Sequence, residues 1–432
     1  MARMNTFDIL IAVDLITVLV ALLRGRPAIL MFSGNALLVL RALSNIQDFG
    51  QPTSQSFVPG MVFQQQNLNT AAQVLAVPVV LFLAASLAPS KAARSNASLP
   101  PVPRWVLYLI GLYLVLFIFS SKTIIQNAYT DPDRAVFGFT IGGAHTLLMA
   151  VILYELFRRV RSGEMRPVVA WAIVFVICLL SDFAKGSTGL AAGIVVTGTV
   201  LVWNARKVRF GGLRASAAIA LLLVVVVLVR TVRSFLHDEG TSAIAQAYDG
   251  IQEGEASRSR TGEGFETHAN AEQYAAHTLE CITLFDTGHS REWRSIYNVV
   301  EYTLKPAFLM EPLGLERSRD APWELGDSFI HGGGIFMFGE LYWNGGMPCV
   351  LIITMALALF SYTVDTRYAS SFGWLMMCCN FCGGLLQGVG YGFNQVCRGI
   401  INGLLVLVIV WACRMLRGFR SPDHAMPQTT RT

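Results

Sequence analysis

Asp327, His331 and Glu340 stand within one polar, glycine-rich stretch, Asp327-Ser-Phe-Ile-His331-Gly-Gly-Gly-Ile-Phe-Met-Phe-Gly-Glu340-Leu-Tyr-Trp-Asn-Gly-Gly346. Each could take the proton of an attacking hydroxyl. The same block carries the cations Arg291, Arg294, Lys305, Arg317 and Arg319, with His289 and Asp320 among them. Transfer of a sugar away from a phosphate needs this mixture: a base for the acceptor and cations for the departing phosphate. Glu340 is the sharpest candidate. A helix over 335–345 would set it about one and a half turns before an apolar span, where partial desolvation raises a carboxyl pKa. Gly339, Gly345 and Gly346 beside it would let a glycan approach the backbone. The plainer alternatives are that Glu340 caps a helix start and His331 is a solvated loop residue. The Gly332-Gly-Gly334 run lacks the Lys-Ser/Thr of a phosphate-cradling loop, which argues against nucleotide binding there.

A second set consists of ionisable residues within or at the rim of apolar spans, where charge is costly. These are Asp8, Asp14, Arg41, Asp182, Lys185, Arg230 and Arg398. Asp14 falls near the middle of its span, and most of the others collect at one rim. Cations at that level could hold a lipid-linked phosphate or pyrophosphate, arginine through bidentate pairing. Lys185, Arg230 and Arg398 are the best of them. Snorkelling to headgroups, or local pairing of Asp182 with Lys185, is the competing explanation.

What positions these groups is a membrane. The 432 residues are 53% hydrophobic and only 14% charged, with mean hydropathy +0.51, where soluble domains carry roughly a quarter charged residues. Continuous apolar runs of about 17–22 residues match a hydrocarbon core of about 30 Å, which argues against an alternating β-barrel pattern. The expected fold is all-α, a polytopic helical membrane protein of about eleven helices, with ten or twelve as neighbours. The spans fall near 7–23, 27–43, 69–88, 105–121, 138–157, 167–182, 186–204, 214–232, 346–364, 371–388 and 397–413. The first is read as a retained span, because no small-residue cleavage site follows it.

Charge orients the threading. Residues 233–345 hold 8 Lys/Arg against 18 Asp/Glu, so the chain's +5 hides an acidic loop and basic short connections. Arg24/Arg26, Lys91/Arg94/Arg104, Arg158/Arg159/Arg161/Arg166, Arg206/Lys207/Arg209/Arg214, Arg367 and Arg414/Arg417/Arg420 all fall on one side. The positive-inside rule makes that side cytoplasmic. Three parts follow: an N-terminal bundle (1–232), a large outward loop (233–345), and a C-terminal set of about three helices with a tail (346–432). The acidic loop argues against a nucleic-acid partner. Within it, one helical pattern runs from His268 to Phe285. A second sets Trp293, Tyr297, Val300 and Leu304 on one face and Arg291, Arg294, Glu301 and Lys305 nearer the other. Such a helix suits the outer membrane surface and should end before Pro306 and Pro312. The eight cysteines read as small buried hydrophobes, since nothing completes Cys379-x-x-Cys382 as a metal site.

Three segments resemble the Wzy-type polymerases of bacterial O-antigen and exopolysaccharide assembly. Lys185-Gly-Ser-Thr-Gly-Leu190 is similar to a short Gly-Ser-Arg-like turn of that family, with Lys or Thr for the usual Arg. Tyr297-Asn-Val-Val-Glu-Tyr-Thr-Leu-Lys-Pro306 resembles its loop segment. Gly339-Glu-Leu-Tyr-Trp-Asn-Gly-Gly346 is close to a Gly-Glu-x-Tyr-x-Asn-Phe-Gly pattern, with Gly345 replacing Phe. The Arg-x10-Gly motif of some members is absent, and length brings xanthan-like systems nearest. The resemblance implies a glycosyltransferase of the bacterial inner membrane with its site facing the periplasm. Undecaprenyl-pyrophosphate-linked oligosaccharides would be donor and acceptor. It also implies membrane lipids and a chain-length-regulating or export co-polymerase as partners, and no nucleotide sugar, soluble cofactor or metal. An O-antigen-type ligase shares the architecture. A polysaccharide or lipid transporter would instead place polar residues at mid-bilayer in broken helices.

Overall fold

The computed structural model describes residues 5–49, 65–89, 266–304, 335–368 and 370–419, with isolated positions between 108 and 171. Among these the secondary structure is helical, without strands: α1 (Thr6–Arg24), α2 (Pro27–Phe49), α3 (Gln65–Leu87), α4 (Glu266–Asp286), α5 (Arg294–Leu304), α6 (Met337–Arg367), α7 (Phe372–Tyr391) and α8 (Phe393–Phe419). Four of them, α1, α2, α3 and α6, are long and apolar enough to cross a bilayer, and α7 contains a shorter apolar stretch, Gly373–Leu386. The chain is a helical membrane protein. The five spans expected between 105 and 232 lie outside the described residues, apart from isolated helical positions.

α1 begins with a capping box. The Asn5 side chain accepts from the Asp8 backbone N–H at 2.8 Å, and the Asp8 carboxylate accepts from the Asn5 N–H. This satisfies amides that the first helical turn leaves without partners. Asn5 also donates to Ser44 and Asp48, and Ser44 donates to Asp8 at 3.0 Å, pinning the start of α1 to the end of α2. Asp8 is therefore a cap, not a ligand at the rim. α1 stops at Gly25, whose φ of +63° closes the helix. α2 then runs back to Phe49, six residues beyond the expected end of that span, and its polar last turns are held by Asn5 through Ser44 and Asp48.

The arginines after α1 have defined jobs. Arg24 donates to the carbonyls of Ser86, Leu87 and Ala88, and Arg26 to those of Ala85 and Ala88. These are the carbonyls that the C-terminus of α3 leaves unpaired, where positive charge is favoured. Asp365, near the end of α6, accepts from the first amides of α2, Ala28 at 2.8 Å and Ile29 at 3.1 Å. Tyr368 donates to Gly25 O, and Arg367 lies over Trp374. Arg24, Arg26 and Arg367 thus share one end of the bundle, as the charge threading requires. At the other end Asn67 of α3 donates to Thr283 of α4, so the acidic loop's helices sit opposite.

The core between these ends is aromatic and closely packed. Phe32 of α2 stacks on Phe82 of α3 and meets Phe338 of α6 edge-on. α7 and α8 are locked by glycines. A Cβ on Gly384 would come within 2.8 Å of the Gln395 carbonyl. One on Gly399 would come within 3.0 Å of Gly384 Cα, and one on Gly403 within 3.0 Å of Met377 Cα. Gly384 faces Gly399, while Gly388 meets Val396 and Gly403 meets Met377; small residues four apart on each helix let the backbones touch where lipid removes any hydrophobic drive between helices. Cys349, Cys378, Cys379 and Cys382 are buried and free.

Candidate functional site

Glu340 is in the first turn of α6, which begins at Met337, nine residues before the expected span. The early start moves the glycines inside the helix: Gly345 is extended and Gly346 adopts φ +64°, breaking α6 into two segments at the expected loop boundary. Trp343 and Asn344, whose carbonyls lie next to this break, become acceptors for the neighbouring loop. Arg291 N–H donates to Trp343 O at 3.0 Å and Trp293 N–H to Asn344 O at 3.1 Å. Glu292 and Trp293 both take positive φ, which turns the chain sharply between those two bonds and into α5.

The turn delivers Arg291 and Ser295 onto Glu340. One carboxylate oxygen, Oε1, accepts from Ser295 Oγ and lies 3.7 Å from the Arg291 guanidinium. The other, Oε2, accepts from the backbone N–H of Phe393, the first residue of α8, at 2.6 Å. Arg291 also donates to Ser295 Oγ at 2.5 Å and stacks over Trp343. Asn344 completes the frame. Its amide donates to Ser295 Oγ and to Glu340 O, both at 2.7 Å, and its oxygen accepts from the Ser295 N–H at 2.9 Å. Glu340 is 2% exposed and Arg291 4%. A buried charge is tolerated only when paired and hydrogen-bonded, and here both carboxylate oxygens are satisfied.

Two expectations are corrected by this geometry. Glu340 does not stand partly open at the interface: it is buried, and each of its carboxylate oxygens already accepts a hydrogen bond. Nor do the nearby glycines admit a glycan. A Cβ at Gly339 would strike Thr278, one at Gly345 would press on Trp293, and one at Gly346 would strike Phe285. Their small size accommodates α4 and α5. The expected loop at 389–396 is also reduced to Gly392. With φ +75° that residue reverses the chain between α7 and α8 while its N–H donates to Ile335 O at 3.1 Å. A Cβ there would collide with Glu340 Oε2.

α5 has its polar face inward and its apolar face outward. Arg291, just before it, and Ser295, Asn298 and Glu301 are buried, whereas Trp293, Tyr297 (62% exposed) and Val300 face out. This polarity is reversed from that of a helix on a water-soluble protein, and it suits an element whose outer surface meets lipid. The helix ends at Leu304, two residues before Pro306.

Arg294 is exposed on α5, and Arg398 is exposed in the second turn of α8, against which α5 packs. Of the other candidates, Asp327, His331, Lys185, Arg230, Lys305, Arg317 and Arg319 lie outside the described residues. Sequence reasoning missed Ser295, Asn344, Gly392 and the Phe393 amide. Ser295 is four residues after Arg291 and Asn344 four after Glu340, so helical spacing could have found those two. The amide comes from another helix and left no local signal. Cys281 of α4 also lies near this frame, next in sequence to Glu280. Burial pushes Glu280 up to about 7, and burial with the negative charge of Glu340 pushes the Cys281 thiol well up.

No protein-family model, curated protein or solved structure matches this chain.

Proposed function

We propose that this protein is a glycosyltransferase that polymerises lipid-linked glycan repeat units at the outer face of a bacterial inner membrane. It would move the growing chain from undecaprenyl pyrophosphate onto a new lipid-linked unit. The full fold in this reading is about eleven spans, with the acidic loop in the periplasm and an export or chain-length partner beside it. The observation that carries the proposal is the buried Glu340–Arg291–Ser295 frame at the loop end of the bundle. It anchors α5 to the start of α8 and leaves the cations Arg294 and Arg398 on the outer surfaces of these two packed helices. Cations at the level of lipid headgroups are the chemistry a pyrophosphate leaving group needs. The lipid-facing polarity of α5 supports the same reading, because donor and acceptor both arrive within the membrane plane.

Glu340 acts in this scheme as a positioning residue. It orients Arg291 and the α8 amide, and the proton of the acceptor hydroxyl goes to another base, for which Asp327 and His331 are the candidates. The deciding experiment is gene deletion followed by analysis of surface glycan and lipid-linked intermediates. Single lipid-linked repeat units without polymer are the expected result. Full-length polymer retained on its lipid would assign a ligase, and repeat units held at the cytoplasmic face would assign a transporter.

A further inference from the structure

Asp14 is used neither by this frame nor by any helix cap. It lies eight residues beyond Thr6 and ten before Arg24, roughly 12 Å and 15 Å along a helix rising 1.5 Å per residue, so it sits near the middle of a membrane-crossing helix. Its side chain is 0% exposed, and neither carboxyl oxygen has a hydrogen-bond partner. The Ser33 hydroxyl of α2 faces it without closing a bond of normal geometry, and is itself buried and unpartnered. Thr17, one turn on, spends its hydroxyl proton on the Val13 carbonyl.

Among the described residues, the helices that pack most extensively against α1 are α2 and α3. α3 carries no ionisable side chain, and α2 carries only Arg41, which is exposed, and Asp48, which is bound by Asn5. On α1 itself, Asp8 is part of the capping box and Arg24 holds the end of α3. No ion pair reaches Asp14 among the described residues. A carboxylate without a counter-charge inside hydrocarbon is disfavoured by many kcal/mol, whereas the neutral acid costs far less. A metal cation is a poor alternative occupant, since one carboxyl and one hydroxyl fall short of the oxygen shell that hard cations require.

We infer that Asp14 is an intramembrane proton-binding site: a carboxylic acid that keeps its proton in the seam between α1 and α2, with Ser33 as the adjacent hydroxyl. Release of that proton strands a negative charge between apolar helices. Ionisation is therefore linked to separation of α1 from α2 or to water entering the seam. The inference is independent of the proposed transferase activity.

The test uses the full-length wild-type protein in lipid nanodiscs and a hydrophobic carbodiimide. A protonated carboxyl adds across one N=C bond of the reagent, its proton going to nitrogen and its oxygen to the central carbon. The adduct rearranges to a stable N-acylurea that retains every atom. Peptide mass spectrometry should locate the adduct on Asp14 at neutral pH, with Asp8 and Asp48 unmodified, and should find it severalfold reduced at alkaline pH. Absence of an adduct on Asp14, or an adduct of unchanged yield at both pH values, overturns the site. Infrared difference spectra between the two pH values give a second reading. The absorption of a protonated carboxyl should be present in wild type and missing in Asp14→Asn. An identical spectrum for the variant also overturns the site.

Discussion

Each end of the bundle buries an arginine close to a carboxylate, and the two arrangements do different work. At one end Arg26 and Asp365 are directed at backbone. The guanidinium closes the last turn of α3 and the carboxylate closes the first turn of α2. These groups complete helices that would exist without them. At the other end Glu340 and Arg291 meet largely through side chains, with Ser295 and Asn344 between them, and only one backbone amide joins in. That frame holds a loop helix, α5, which turns Trp293, Tyr297 and Val300 outward and reaches the core with only the partly buried Ile296 and Val299 as apolar contacts among its described residues. The contrast separates stability from positioning: capping charges stabilise elements, and networked charges decide where an element sits.

The sharpest way to break the comparison is to remove one charge at the loop end. Glu340→Ala leaves Arg291 buried without its partner and should cost about 3–5 kcal/mol, read as a lowered Tm and protease sensitivity of 266–304. Glu340→Gln keeps the shape and should give membrane-inserted protein that leaves repeat units unpolymerised, while Glu340→Asp recovers part of the polymer length. Normal chain lengths from Glu340→Gln would remove Glu340 from the machinery.

At the opposite end Asp365→Ala deletes two charge-assisted bonds to the α2 amides and should cost about 3 kcal/mol. Its signature differs: thermal stability falls, yet polymer length per folded molecule stays at the wild-type value. Shortened polymer from this variant would mean that the two ends are coupled. Gly392→Ala tests the hinge between α7 and α8, where positive φ and contact with Glu340 both oppose a Cβ. A loss of about 1–3 kcal/mol is expected, and the increment should shrink in the Gly392→Ala/Glu340→Ala pair only if Glu340 is the group being struck.

The smallest effect concerns pH. Burial raises Glu280 from 4.5 to about 7 in the fold, so the native state holds the proton more tightly than the unfolded chain. Its contribution is fully present below pH 4.5 and declines as pH rises to about 7. Solvent screening at this half-exposed position keeps the change small. Glu280→Gln should flatten the decline of Tm across that window, and an unaltered pH profile would show that Glu280 is not its source.

Membrane class, the C-terminal ends of α1 and α3, the helices on either side of residue 290, and the placing of Arg24, Arg26 and Arg367 at one end were legible in the sequence. They depend on hydropathy, caps and charge sums taken along the chain. The place of Glu340, an acid just before an apolar span, was legible too. Its role was not, because two of its partners, Ser295 and the Phe393 amide, are supplied by other helices. The same holds for Asp365, 337 residues from the Ala28 amide it binds, and for Gly384 and Gly399, whose size has meaning only once two backbones touch. α5 carries the lesson furthest. Its amphipathic pattern is written in Trp293, Tyr297 and Val300, but the buried carboxylate of Glu340 decides that its polar face turns inward, since a charge removed from water must be met by charge and hydrogen bonds.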